Sequence, residues 1–133
     1  MKSTHDAEWI YIFKKTYEDL QIFNNGNSSS KFSFQTKNHW LIVCLVASRD
    51  HIGINYEDIC SSIGRSTASR STIATILDNG IEKGVFIKRK HDTDKRVQLY
   101  ALSKESINFL KEWIDTKLKI FNPSAKKIKE IDT

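Results

Sequence analysis

The pattern of apolar and polar positions predicts five helices and one short β-hairpin. Apolar residues recur at three- and four-residue steps, as in helices that bury one face, over about 6–23, 36–49, 55–63, 69–83 and 103–122. Two apolar runs, 85–87 and 97–102, flank a polar turn and predict the hairpin, with Gln98 and Tyr100 facing away from Leu99. The expected fold class is therefore mainly α with a small β-hairpin (α+β), and the helix over 36–49 should be the most buried.

A run rich in Asn, Gly and Ser separates the first helix from the rest of the chain. Residues 24–31 predict a flexible linker. Phe32 and Phe34 follow and alternate with polar residues, which favours a short extended segment.

The helix over 69–83 carries short polar side chains on its outer face. Ser69 is a good N-cap and Gly84 a natural C-terminal stop. Ile73 and Leu77 belong to the apolar face, and Gly80 within the helix suggests that another residue packs closely there. The outer face allows close approach to phosphates and base edges; it comprises Ser71, Thr72, Thr75 and Asn79.

The hairpin turn concentrates positive charge. Residues 88–96, which we name the wing, read Lys-Arg-Lys-His-Asp-Thr-Asp-Lys-Arg. Such a cluster repels itself unless a polyanion binds it. Asp92 or Asp94 is placed to brace Arg96. A solvated edge that discourages aggregation is the alternative interpretation. A capped helix that leads into a basic hairpin predicts a winged helix-turn-helix.

These residues resemble the MarR family of winged-helix transcriptional regulators. The resemblance covers the Ser69–Arg70–x–Thr72 helix start, the Lys83–Gly84 stop, the Asp92–Arg96 turn and the Leu102–Ser103 step. It implies that the helix enters the major groove of DNA and that the wing arginine reaches the minor groove. The expected contacts with double-stranded DNA are Arg65, Ser69, Arg70, Ser71, Thr72, Thr75, Asn79, Arg89, Lys90, Lys95 and Arg96.

Two departures from the family pattern bear on these contacts. Thr75 stands where many relatives carry Arg, and the turn over 64–68 is longer than usual. Arg-Ser-Thr also occurs twice, so the helix could start at Ser66 instead of Ser69. A start at Ser66 would place Arg70 on the buried face without a partner, at a cost of roughly several kcal/mol. We therefore expect the Ser69 register.

The net charge is modest and locally focused. The chain of 133 residues carries 21 basic and 16 acidic groups, a net charge of +5. Residues 64–96 hold eight of the basic and four of the acidic groups. A focused basic patch favours a phosphate backbone as the partner.

The first and last helices carry wider apolar stripes than one small domain covers. Large exposed apolar faces mark interfaces, although packing on the domain body is the alternative. The resemblance implies that these helices interleave in a homodimer, which would read a near-palindrome. We expect a division into 1–35, 36–102 and 103–133, with dimer contacts at Trp9, Ile10, Phe13, Tyr17, Leu20, Leu110, Trp113, Ile114, Leu118 and Phe121.

No motif indicates an enzyme. The four histidines are scattered, and no catalytic, metal-binding or phosphate-loop motif is present. We expect no metal and no cofactor. Cys44 is expected to be a buried small hydrophobe and not a redox sensor.

Further expectations concern partners and location. No secretory signal or membrane span is evident, and two cysteines fit a reducing compartment, so a cytoplasmic protein without membrane partners is expected. The resemblance implies a small-molecule effector between the dimer helices and the DNA-binding domain. The alternative function is a winged-helix protein–protein interaction module, such as an anti-repressor or assembly adaptor.

Overall fold

The fold is helical with one antiparallel hairpin, as the sequence predicts. The structure is a computed structural model that describes residues 4–49 and 52–122, with side chains from residue 7 onward. The elements in chain order are α1 Thr4–Asn24, α2 Ser28–Ser33, α3 Lys37–Ser48, α4 Tyr56–Ile63, α5 Arg70–Glu82, β1 Phe86–Lys90, β2 Gln98–Leu102 and α6 Lys104–Phe121.

The core is built around α3. Its Ile42, Val43 and Val46 are completely buried and pack with Leu77 of α5 and Phe86 of β1. Thr36 caps α3 by accepting a hydrogen bond from the His39 amide. The expectation that α3 is the most buried helix was wrong, because four of the six residues of α2 are buried against four of twelve in α3.

Local caps fix the start and end of α4 and α5. The Asn55 side chain accepts from the Asp58 amide, and the Ser69 side chain accepts from the Thr72 amide. Because α5 begins at Arg70, the Ser69 register is confirmed. Gly84 ends the helix with a φ of +74°, a conformation that a residue without Cβ adopts at little cost.

The first strand of the hairpin ends at Lys90, three residues later than predicted. β1 pairs with β2 from Phe86 opposite Leu102 to Lys90 opposite Gln98. Leu99 and Tyr100 are consecutive in β2 and so lie on opposite faces, as predicted, and both are buried. The Tyr100 side chain belongs to the hydrophobic core cluster. The backbones of Ile54 and Tyr100 exchange hydrogen bonds of 3.0 and 2.8 Å, which adds one bridge at the edge of β2.

The predicted linker and extended segment are instead a turn followed by the short helix α2. The Asn27 side chain accepts from the Ser30 amide and starts the helix. Ser29 and Ser33 are buried because their hydroxyls have partners: Ser29 Oγ lies 3.0 Å from Ser106 Oγ, and Ser33 Oγ donates to the Ser29 carbonyl. Satisfied hydroxyls tolerate burial, so a serine-rich composition misled the prediction here.

The terminal helices pack against each other and against α2. Phe23 of α1 meets Phe109 of α6 with ring centroids 5.6 Å apart. Ser103 caps α6 by accepting from the Ser106 amide. The helix ends at Phe121, one residue before its predicted end, and residues 123–133 lie outside the described residues. No helix in the described part of the chain is long and apolar enough to cross a membrane.

Candidate nucleic-acid interface

The outer face of α5 carries small hydrogen-bonding side chains on a rigid base. Ile73, Ile76 and Leu77 anchor the opposite face in the core. The Ser69 hydroxyl donates to Thr72 Oγ1 at 2.9 Å and lies 3.2 Å from Ser71 Oγ, so hydroxyls gather at the first turn. All the predicted DNA contacts on α5 and its cap are exposed; they are Ser69, Arg70, Ser71, Thr72, Thr75 and Asn79.

A polar cleft of about 460 Å³ separates this outer face from the start of α3. Ser71, Thr75 and Asn79 line one side, and Gln35 and Asn38 line the other. The two sides come from parts of the chain more than thirty residues apart, so no local pattern indicates that Gln35 and Asn38 belong to this site. The cleft offers amide and hydroxyl donors and acceptors, which suit phosphates and base edges.

His39 forms part of the floor of this cleft and is buried. Its Nδ1 lies 2.6 Å from Thr36 Oγ1, and its ring packs edge-on against Phe32. Burial, and to a smaller extent the charge of Lys83, lowers the pKa of His39 below its ordinary 6.5. The imidazole is therefore held neutral near pH 7.

Arg70 is paired within the chain at the start of α5. Its Nη2 lies 2.5 Å from Glu57 Oε1, and its guanidinium stacks over the Tyr56 ring at 5.1 Å. The Tyr56 hydroxyl donates to the Arg70 carbonyl at 2.9 Å. The hydrogen bond from Arg70 lowers the pKa of Glu57, so this carboxylate stays charged. No pattern near Arg70 in the sequence indicates Tyr56 or Glu57, because they lie on α4, thirteen or more residues away.

Arg65 is exposed in the turn between α4 and α5. It lines a small cleft together with Arg70, Gly64 and Ala68. The cleft has a volume of about 300 Å³ and places two predicted DNA-binding arginines at the same end of α5.

The wing turn is organised by two side chains. Asp94 Oδ1 accepts from both the backbone amide and Nε of Arg96, at 3.1 and 3.2 Å, and Arg96 lowers the pKa of Asp94. His91 Nδ1 accepts from the amides of Thr93 and Asp94. The Arg96 side chain is 92% exposed. Asp94, and not Asp92, is thus the brace for Arg96.

The other wing cations lie along the strands and turn. Lys88 Nζ sits 5.6 Å from the centre of the Tyr100 ring, and Arg89 Nη2 lies 3.8 Å from Asp92 Oδ1. Lys90 and Lys95 are exposed. Because β1 extends to Lys90, the first three cations belong to a strand and not to the tip.

The predicted dimer residues divide into exposed and partly packed positions. Leu110 packs against the core, and Trp113 stacks near Trp40 with centroids 5.1 Å apart. The remainder keep large exposed fractions in a single chain; they are Trp9, Ile10, Phe13, Tyr17, Leu20, Ile114, Leu118 and Phe121.

Cys44 is exposed, so the prediction that it is buried was wrong. The buried face of α3 carries His39, Ile42, Val43 and Val46, and Cys44 lies off that stripe. Partial burial raises the pKa of its thiol, which disfavours the reactive thiolate.

No group of His, Cys, Asp and Glu suited to holding a metal ion occurs among the described residues. No protein-family model matches the sequence. No curated protein matches it either.

Three solved structures share the fold at low sequence identity. S. aureus MepR in complex with DNA has a TM-score of 0.57 at 13% identity, over 90% of this chain and 86% of that chain. RV1404 from Mycobacterium tuberculosis has a TM-score of 0.57 at 13% identity, over 96% of this chain and 82% of that chain. NadR in complex with 4-hydroxyphenylacetate has a TM-score of 0.52 at 15% identity, over 99% of this chain and 83% of that chain.

Identities this low establish the architecture alone. The chain has the winged-helix fold of MepR, RV1404 and NadR, which is the fold that the resemblance to the MarR family predicted.

Proposed function

We propose that this protein is a MarR-type transcriptional regulator that binds double-stranded DNA sequence-specifically as a homodimer. The single observation that carries the proposal is the braced Arg96: an exposed arginine held by Asp94 at the tip of a basic hairpin that directly follows α5. The likeness to MepR in complex with DNA supports it at the level of the fold.

In this proposal α5 reads the major groove. Its exposed hydroxyls and amide are short, so the helix backbone approaches the base edges closely. Ser71, Thr75 and Asn79 lie one turn apart and face the cleft together. They supply sequence readout. Arg65, in the turn before the helix, lies near the phosphate backbone, whereas the neighbouring Arg70 is paired with Glu57.

The wing supplies the minor-groove contact. Asp94 accepts from the amide and Nε of Arg96, which favours one orientation of the guanidinium and lowers the entropy lost on binding. Arginine suits a narrow minor groove because the negative potential is strongest there. Lys95, Lys90 and Arg89 add phosphate contacts along the same hairpin.

Two copies pair through the terminal helices. The division into 1–35 and 103–133 for dimerisation and 36–102 for DNA binding follows from this pairing. Exposed aromatic and aliphatic residues on α1 and α6 need cover in water. A two-fold axis then presents two copies of α5 to successive turns of one face of the duplex.

An electrophoretic shift assay on mixed-sequence duplex DNA over a salt series tests the proposal. Binding that weakens steeply with salt is expected, because phosphate contacts release counterions. Absence of any shift at the lowest salt would contradict the proposal and favour the protein–protein interaction module instead.

A second role, effector binding, is favoured by an aromatic cleft beside α1 and α6. The cleft has a volume of about 320 Å³, and Phe34, Trp40, Trp113, Lys37 and Lys117 are among the residues that line it. We propose that it takes a small aromatic anion, since the rings stack on an aromatic group and the ammonium groups pair with a carboxylate. NadR, which shares the fold, was solved in complex with 4-hydroxyphenylacetate.

Quenching of tryptophan fluorescence by 4-hydroxyphenylacetate tests the effector proposal. Saturable quenching that is lost in Lys37→Ala/Lys117→Ala and kept in Lys111→Ala is expected. Equal quenching in all three proteins would contradict a defined site in this cleft.

A further inference from the structure

Arg70 is a predicted DNA contact that has three different contacts inside the chain. Glu57 binds its guanidinium, the Tyr56 ring lies beneath it, and the Tyr56 hydroxyl holds its carbonyl. The last of these bonds acts on the backbone, so the position of the α5 start does not depend on Glu57.

The ion pair between Arg70 and Glu57 is accessible to solvent and to competing anions. The side chains of Arg70 and Glu57 are 46% and 70% exposed. Exposed ion pairs contribute little to stability because water and salt screen them. A phosphate group that approaches this end of α5 therefore competes with Glu57 for the same guanidinium, and it meets a carboxylate that repels it.

We propose that Glu57 withholds Arg70 from the phosphate backbone and thereby limits binding to DNA of arbitrary sequence. The inference rests on the proposed function, because it concerns the same DNA-binding face. It gives the Glu57 carboxylate on α4 a role in specificity, although this carboxylate contacts no base in the proposal. Tyr56 keeps the guanidinium in place at the edge of the face, ready to contact a phosphate once the carboxylate is removed.

The ordinary structural explanation of Glu57 is different. A carboxylate in the first turn of a helix stabilises it by interaction with the helix dipole. Asp58 lies in the same turn, is exposed, and has its backbone amide bonded to Asn55. Glu57→Gln and Asp58→Asn therefore remove the same charge from the same turn, but only the first releases Arg70.

Filter or electrophoretic binding to a random-sequence duplex, measured from low to high salt, tests the inference. Glu57→Gln is expected to bind about fivefold to tenfold more tightly near 0.1 M salt, with a salt slope steeper by about 0.9, the value of one added phosphate contact. Asp58→Asn is expected to keep the wild-type slope. When Arg70 is replaced by Gln, the gain in affinity caused by Glu57→Gln should fall to the gain caused by Asp58→Asn.

The outcomes separate the inference from the function on which it rests. Equal effects of Glu57→Gln and Asp58→Asn in protein that binds DNA would overturn the inference and leave the proposed function standing. A loss of affinity in Glu57→Gln, with an unchanged thermal transition, would overturn it in favour of a positioning role for the pair. Failure of the wild-type protein to bind any duplex would overturn the proposed function itself.

Discussion

Gly80 of α5 lies directly against the ring of Phe86 at the start of β1. A Cβ added at Gly80 would collide with Phe86 Cδ2 and come within 3.2 Å of Phe32 Cζ. Both rings are almost fully buried, so neither has space to move. The absence of a side chain at Gly80 therefore lets Phe86 pack directly against α5.

Gly80→Ala is therefore expected to destabilise the protein although alanine favours helices. The gain in helix propensity is about 1 kcal/mol, and overpacking a well-filled core costs about 1–3 kcal/mol. We expect chemical denaturation to give a net loss. The double variant Gly80→Ala/Phe86→Leu should lose less than the sum of the two single variants, because the shared collision is removed. A more stable Gly80→Ala protein would contradict the packing described.

Leu118 provides a test of dimerisation through the terminal helices. Its side chain is 55% exposed in the single chain. A charge buried in a subunit interface without a partner is strongly unfavourable. Sedimentation equilibrium should give twice the 15.4 kDa chain mass for the wild type and the chain mass for Leu118→Glu.

Ile52→Glu is the matched control, because Ile52 is also an exposed aliphatic residue but lies outside the terminal helices. It should remain dimeric. A wild-type protein that sediments as a monomer at micromolar concentration would count against the dimer.

Arg96 tests the minor-groove contact. Arg96→Ala should lower the affinity for specific DNA about tenfold and leave the thermal transition unchanged, because the side chain is exposed and contributes little to stability. Lys104→Ala removes an exposed cation at the start of α6 and should change the affinity far less. Full affinity of Arg96→Ala would exclude the wing assignment.

His39 gives stability a specific dependence on pH. Its pKa in the folded chain lies below the ordinary 6.5, chiefly because of burial. The unfolded chain therefore takes up the proton first, and the contribution of His39 to stability is present above pH 6.5 and lost as pH falls through the folded-state pKa.

We expect the Tm of the wild type to fall between about pH 7.5 and pH 5.5, the range around an ordinary histidine pKa, and His39→Gln to reduce that fall. His91→Gln leaves His39 in place, so this variant should show the same fall in Tm as the wild type. An identical pH profile for wild type and His39→Gln would refute the linkage.

The sequence predicted the parts of the fold that local signals determine. The α5 boundaries follow from the Ser69 cap and the Gly84 stop, and the hairpin follows from apolar runs around a charged turn. The brace on Arg96 was also predictable, since Asp94 is only two residues away.

The wrong or missed predictions concern residues whose surroundings come from parts of the chain that are distant in sequence. Ser29 is buried because Ser106, 77 residues later, accepts or donates at its hydroxyl. Likewise, Gln35 and Asn38 join α5 in one cleft only through packing of α3. Patterns over a few residues carry no information about such pairings.

Selection of bound duplexes from a random pool tests the central claim most directly. The account predicts enrichment of an inverted repeat whose half-sites are centred about one helical turn, roughly 10 base pairs, apart. A pool of duplexes whose sequences remain random after repeated rounds would contradict this claim.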